Sequence, residues 1–114
     1  MLDLNKLAKE CKLIAYERYA NNANVANPDD CLKQCASEVV EAEEAKIKAY
    51  NCFKYLDYPT SELDNLVKSY GEELADIIIC VLITASVDGI DIEKAVLDKI
   101  EKNKLRAKGR GDKL

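Results

Sequence analysis

The chain has no histidine. That absence removes Ser–His and Cys–His nucleophilic pairs, histidine zinc sites and histidine-dependent di-iron centres. Proline occurs twice and glycine four times in 114 residues, so few positions break regular structure. Ala, Leu, Glu and Lys are abundant instead, and their small entropy loss in a helix leans the chain toward an all-α fold. Long apolar runs are missing as well. The longest, Ile77 to Ile83, is far short of the roughly 20 residues that span a bilayer, so no membrane association is expected. The start, Met1-Leu2-Asp3-Leu4, turns polar within three positions, and no secretory leader is expected. Five cysteines make an odd number without a C-x-x-C pair, which fits reduced thiols and a cytoplasmic location. Cys31 and Cys35 lie one helical turn apart. A soft metal could use them, but no other ligand stands nearby, and free cysteine packs as a small hydrophobe.

What remains describes one globular domain. Apolar residues make up 48% and charged residues 33% of the chain, a balance that supports a packed core and excludes disorder. The net charge of −4 is unevenly spread: Lys99 to Leu114 carries +5, leaving −9 for the rest. An acidic body with one basic end is not the dominant basic face of a binder of nucleic-acid polymers. It suits a ligand that is both anionic and metal-bound.

Apolar residues at three/four spacing predict a first helix from about Leu2 to Ala20, with Leu4, Leu7, Ala8, Cys11, Ile14, Ala15 and Tyr19 on its buried face. Asn21 to Asn27 reads as a loop. Asn27-Pro28-Asp29-Asp30 has the cap, proline and acids of a helix start. The second helix is expected to reach about Tyr50, with Leu32, Cys35, Ala36, Val39, Ile47 and Tyr50 as its stripe. A connection over Asn51 to Thr60 contains the Tyr58-Pro59 breaker. Ser61 with Asp64 is a weak capping signal for a third helix ending at Gly89. Asp91 caps a fourth helix, Ile92 to about Ala107. These elements predict a single helical domain over 1–107, a bundle of four to five helices, with a basic, flexible tail over 108–114. The run Ile77-Ile78-Ile79-Cys80-Val81-Leu82-Ile83 is β-branched, but a lone strand would have no partner. It reads as a helix apolar on nearly every side, at the bundle centre.

Asp76 stands inside that apolar segment, where an unpaired carboxylate would cost several kcal/mol or take up a proton. A Lys or Arg from another helix would compensate it, and so would a metal. Other acids favour the metal. Glu73 precedes Asp76 by three residues and shares its helical face, and Glu38 and Glu41 repeat the spacing on the second helix. Four carboxylates brought together by two adjacent helices repel one another, and a hard cation relieves the repulsion. With oxygen ligands alone, Mg²⁺ or Mn²⁺ is expected. Glu43 and Glu44 read as solvated surface acids.

Ser37-Glu38-Val39-Val40-Glu41 followed by Glu73-Leu74-Ala75-Asp76-Ile77 resembles the E-x-x-E … E-x-x-D signature of MazG-like nucleotide pyrophosphohydrolases, in the all-α NTP pyrophosphatase superfamily. The resemblance runs from about Leu32 to Arg106. It takes in Gly89-Ile90-Asp91-Ile92 and the segment from Lys99 to Arg106. Two departures stand out: Ser37 where the family usually has a second Glu, and a long interval between Glu41 and Glu73. The first bears on metal stoichiometry and the second on the shape of the base pocket.

The resemblance implies hydrolysis of a nucleoside triphosphate to monophosphate and pyrophosphate in a homodimer or homotetramer. Glu38, Glu41, Glu73 and Asp76 would be the metal-binding and catalytic acids, and one of them, such as Glu41, would orient the attacking water. Lys99, Asn103 and Arg106 share one face of the fourth helix and would contact phosphates. A solvated basic helix end is the other reading of Lys99 and Arg106. Two rival functions remain. A phosphoribosyl-ATP pyrophosphohydrolase has similar acids, but Ile78-Ile79 stands where that relative typically has Tyr-His. A non-catalytic helical interaction module would use the acids as structural ion pairs.

Overall fold

A computed structural model of the chain describes residues 1–22, 24–55 and 60–109. Every regular element among them is helical: α1 (Leu4–Asn21), a 3-10 turn (Pro28–Asp30), α2 (Cys31–Tyr55), α3 (Thr60–Val87) and α4 (Ile92–Ala107). The β-branched run of 77–83 is thus helical, in the interior of α3.

The caps follow the residues. Asp3 accepts a hydrogen bond from the Lys6 N–H at 3.1 Å, Asn27 from the Asp29 N–H at 3.0 Å, and Asp91 from the Lys94 N–H at 3.0 Å. α3 ends in a Schellman turn. The Ile90 N–H reaches the Ala85 carbonyl at 2.8 Å and the Gly89 N–H reaches Ser86, with Gly89 at φ +70°, a conformation that costs glycine nothing. Two boundaries differ from expectation. α2 runs on through Asn51 to Tyr55, because Asn51-Cys52-Phe53-Lys54 contains no breaker and Cys52 buries on the same face as Ala49. Ser61 lies inside α3, one residue past its start. The Tyr58-Pro59 break and the tail beyond Gly109 lie outside the described residues.

α2 and α3 form the principal packed pair. On α2 the covered positions are Cys31, Cys35, Glu38, Ala42, Ala45, Ala49 and Cys52. On α3 they include Leu63, Leu66, Tyr70, Glu73, Ile77, Cys80, Thr84 and Val87. Both series alternate steps of three and four, the spacing of a knobs-into-holes seam. Cys31 and Cys35 meet Cys80 while Glu38 meets Glu73 and Asp76, so the helices are antiparallel. The expected α2 stripe is therefore rotated. Small Ala and Cys side chains face α3, whereas Leu32, Val39, Ile47 and Tyr50 are exposed.

α1 packs on α3 from another side, burying Ala8 and setting Cys11 and Ala15 against a cluster of Cys31, Cys80 and Ile83. Ile14 and Tyr19, expected on this face, are exposed. α4 is held to the start of α1 by a polar clasp. The Asn5 amide donates to Asp91 at 2.7 Å and accepts from the Glu93 N–H at 3.2 Å, and Glu93 accepts from the Leu4 N–H at 3.1 Å. None of α4's residues is buried. No helix among the described residues is long and apolar enough to cross a membrane.

Candidate metal centre

The seam places Glu38 and Glu73 opposite each other at covered positions, among otherwise small or apolar residues. One turn position on, Asp76 completes the group, and one carboxylate oxygen from each of the three lies within 4.8 Å of the others. Glu38 and Glu73 are half-buried. Asp76 is exposed at the seam's edge rather than enclosed by its apolar neighbours, because Ile77 and Cys80 take the covered positions beside it.

Two of these oxygens demand a partner. Oε2 of Glu38 and Oε2 of Glu73 are both buried, and neither oxygen has a hydrogen-bond partner among the described residues. A buried anionic oxygen without a donor is costly, and two facing each other are worse. A cation among the three carboxylates would compensate them. The pKa of Glu38 is raised by burial first, then by the charge of Glu41, with a further push from Asp76; the nearby Gln34 amide partly opposes this. An all-oxygen set of three carboxylates fits a hard divalent cation such as Mg²⁺ or Mn²⁺.

Glu41 is exposed beside the group and contributes no oxygen to it, but its carboxylate lies within hydrogen-bond reach of Glu38 and its charge acts on it. Lys99, Asn103 and Arg106 share a face of α4, whose main packing is against α1. Among the described residues, Lys94 pairs with Asp98 at 2.7 Å and Lys104 with Glu101 at 2.9 Å. Lys99 and Arg106 have no such pair there.

Beside the acids opens a cavity of about 500 Å³ between α1, the loop leading to Pro28, and the α2–α3 seam. Glu38 and Asp76 stand on its wall with Arg18, Asn24, Asn27 and Gln34, while Ile79 and Ile83 supply apolar surface. Lys99, Asn103 and Arg106 do not line it. Asn24 belongs to the stretch that reads from sequence as a loop, Asn27 reads as a helix cap, and the sequence reading gives Arg18 no role. What could have drawn attention to them is their placement between two helices that must both pack on the apolar α3. Tyr16 donates its hydroxyl to Asp29, tying this loop region to α1.

Cys31 and Cys80, with Cys11 and Cys35 packed against them, form an apolar patch on the wall of this same cavity. Burial is the main cause that raises the thiol pKa values of Cys31 and Cys80, and Cys80 also touches Cys31 and Cys35. Such thiols are poor nucleophiles at neutral pH.

Compared with models of known protein families, with curated proteins and with solved structures, the chain matches none.

Proposed function

We propose that this chain is a MazG-like nucleoside triphosphate pyrophosphohydrolase that requires Mg²⁺ or Mn²⁺ and works as a homodimer or homotetramer. The observation that carries the reading is the set of Glu38, Glu73 and Asp76, in which two buried oxygens have no hydrogen-bond partner among the described residues. Structural ion pairing would put a Lys or Arg against them, and neither carboxylate takes part in an ion pair among the described residues.

Glu38, Glu73 and Asp76 would hold the cation. When bound, it offsets phosphate charge and lowers the pKa of a coordinated water. Glu41, exposed beside the set, accepts the proton of the attacking water. The water oxygen bonds to phosphorus at the anhydride between the α and β phosphates, and the bridging P–O bond breaks. Nucleoside monophosphate and pyrophosphate leave, and the proton passes from Glu41 to solvent. Lys99, Asn103 and Arg106, which do not line the cavity beside their own chain's acids, would bring positive charge and an amide to the phosphates from the α4 of a second copy.

The surface supports assembly. The chain exposes 8803 Å², about 2,500 Å² more than a compact monomer of its mass. Its radius of gyration of 17.6 Å exceeds the roughly 13 Å of a compact domain of such length. Val39, Ile47, Tyr50 and Leu74 border a groove of about 540 Å³ along the α2–α3 pair. An excess of total surface on this scale, with large apolar side chains exposed along it, is of the size that an obligate interface buries.

The test is pyrophosphate release from a panel of nucleotides, with Mg²⁺ and with EDTA. Release in Mg²⁺ alone is expected. No release from any nucleoside triphosphate would overturn the reading, and release from phosphoribosyl-ATP alone would move the chain to that rival.

A further inference from the structure

We infer that the cavity between α1, the loop over 24–28 and the α2–α3 seam seats the nucleotide, and that Arg18 is a phosphate-contacting residue there. The inference rests on the proposed activity and adds a binding residue that lies outside both acid motifs and outside α4.

The argument begins with charge. Arg18 and the acids Glu38 and Asp76 line one cavity, yet Arg18 forms no ion pair with them or with any other described residue. Opposite charges left unpaired across about 500 Å³ are separated by space rather than neutralised. A guanidinium is a planar fork matched to phosphate oxygens, while the carboxylates repel them. A ligand that carries phosphates and a divalent cation together satisfies both walls: its cation goes to the acids, and a phosphate oxygen to Arg18.

The rest of the lining suits the remainder of such a ligand. The Oδ1 atom of Asn27 already accepts from the Asp29 N–H at 3.0 Å, which leaves its NH₂ free to donate. Asn24 and Gln34 add further amide groups, and these present the kind of donor and acceptor edge that a nucleobase offers. Ile79 and Ile83 provide apolar surface, and no aromatic ring is among the described residues that line the cavity. A cavity of this size, its wall shared about equally between polar and apolar surface, falls in the volume range of small-molecule sites. The alternative role of Arg18 is to complement the C-terminal end of α1, in whose last turn it lies.

The experiment uses the full chain in its native assembly and two titrations: Mn²⁺ alone, and an α,β-imido nucleoside triphosphate in the presence of Mn²⁺. Arg18→Gln is expected to leave Mn²⁺ affinity within about twofold and to weaken the analogue by about 10- to 100-fold, the loss of a charge-assisted hydrogen bond. Arg18→Lys should fall between the two, since it keeps the charge and loses the fork. Analogue binding by Arg18→Gln within twofold of wild type overturns the inference and leaves the proposed activity standing. Loss of Mn²⁺ binding in Arg18→Gln also overturns it, since Arg18 would then support the metal centre. Wild type that binds Mn²⁺ but not the analogue overturns both the inference and the proposed activity.

Discussion

Glu38 and Glu73 face each other across the α2–α3 seam, each with one carboxylate oxygen buried and without a hydrogen-bond partner among the described residues. They occupy positions that the repeat of the seam would otherwise give to an apolar residue. Such an arrangement lowers stability unless it is compensated, and the proposed cation would supply that compensation.

Glu38→Gln, Glu73→Gln and Asp76→Asn are each expected to lower turnover by orders of magnitude and to weaken Mn²⁺ binding, with far-UV helicity unchanged. Glu41→Gln should separate from them. As a proton acceptor outside the group, its loss costs about 10²- to 10⁴-fold in kcat with Mn²⁺ affinity intact. Mn²⁺ titration and steady-state kinetics on the four variants check this. Equal loss of Mn²⁺ affinity in Glu41→Gln would return it to the ligand set.

The helical fold, the caps at Asn27 and Asp91 and the turn at Gly89 were legible in the sequence, because each rests on chemistry local to a few residues. The face of α2 was not. Reading the largest apolar side chains as the stripe pointed to Leu32, Val39, Ile47 and Tyr50, whereas Ala42, Ala49 and Cys52 are what bury. Small residues let two backbones approach closely, and hydrophobicity alone does not register that. Three of the four acids converge because the Glu-x-x-acid spacing fixes a helical face. Glu41 falls outside because Ala42 takes the next covered position on α2. Where α4 and Arg18 sit depends on contacts between distant segments, and no local pattern carries that.

The small-residue seam can be tested directly. Ala42 is 4% and Ala49 7% exposed. Enlarging either to Leu would force the helices apart, with a destabilisation of about 1–3 kcal/mol. Urea unfolding followed by circular dichroism measures it. Unchanged midpoints for both variants would mean that α2 and α3 are not packed this closely.

The outer face gives the opposite expectation. Ile78 is 58% and Ile47 51% exposed in the single chain. Ile47→Glu and Ile78→Glu should therefore leave helicity intact and shift sedimentation toward the monomer, because the substitution puts a charge into an interface. A monomeric wild type at micromolar concentration would contradict the proposed assembly. Lys99→Ala, expected to reduce nucleotide turnover without changing Mn²⁺ affinity, should lose its effect in the dissociated variants if α4 reaches the acids of a second copy. An undiminished effect in the monomer would show that α4 acts within its own chain.

The raised pKa of Glu38 fixes the sign of a last expectation. Burial, followed by the charge of Glu41, raises it above the ordinary carboxylate value, so without metal the folded chain holds a proton that the unfolded chain has released. The stability this proton confers is fully present below the unfolded-state pKa and is lost as pH rises through the folded-state pKa. Metal-free protein should thus lose stability from the ordinary carboxylate range upward, through mildly acidic pH toward neutrality. Mg²⁺ should reverse the trend, because it binds the ionised, folded set and not the unfolded chain. At a free concentration about a hundred times its Kd the gain is about 2.7 kcal/mol, a rise in Tm on the order of 10 °C for a chain of this size. Glu38→Gln removes the titrating group, so its melting in EDTA should depend less on pH, and Mg²⁺ should stabilise it little. Thermal melts of wild type and Glu38→Gln at several pH values, in EDTA and in millimolar Mg²⁺, carry the comparison. If wild type melts at one temperature in EDTA and Mg²⁺ at every pH, Glu38, Glu73 and Asp76 hold no cation, and the interaction-module reading takes precedence.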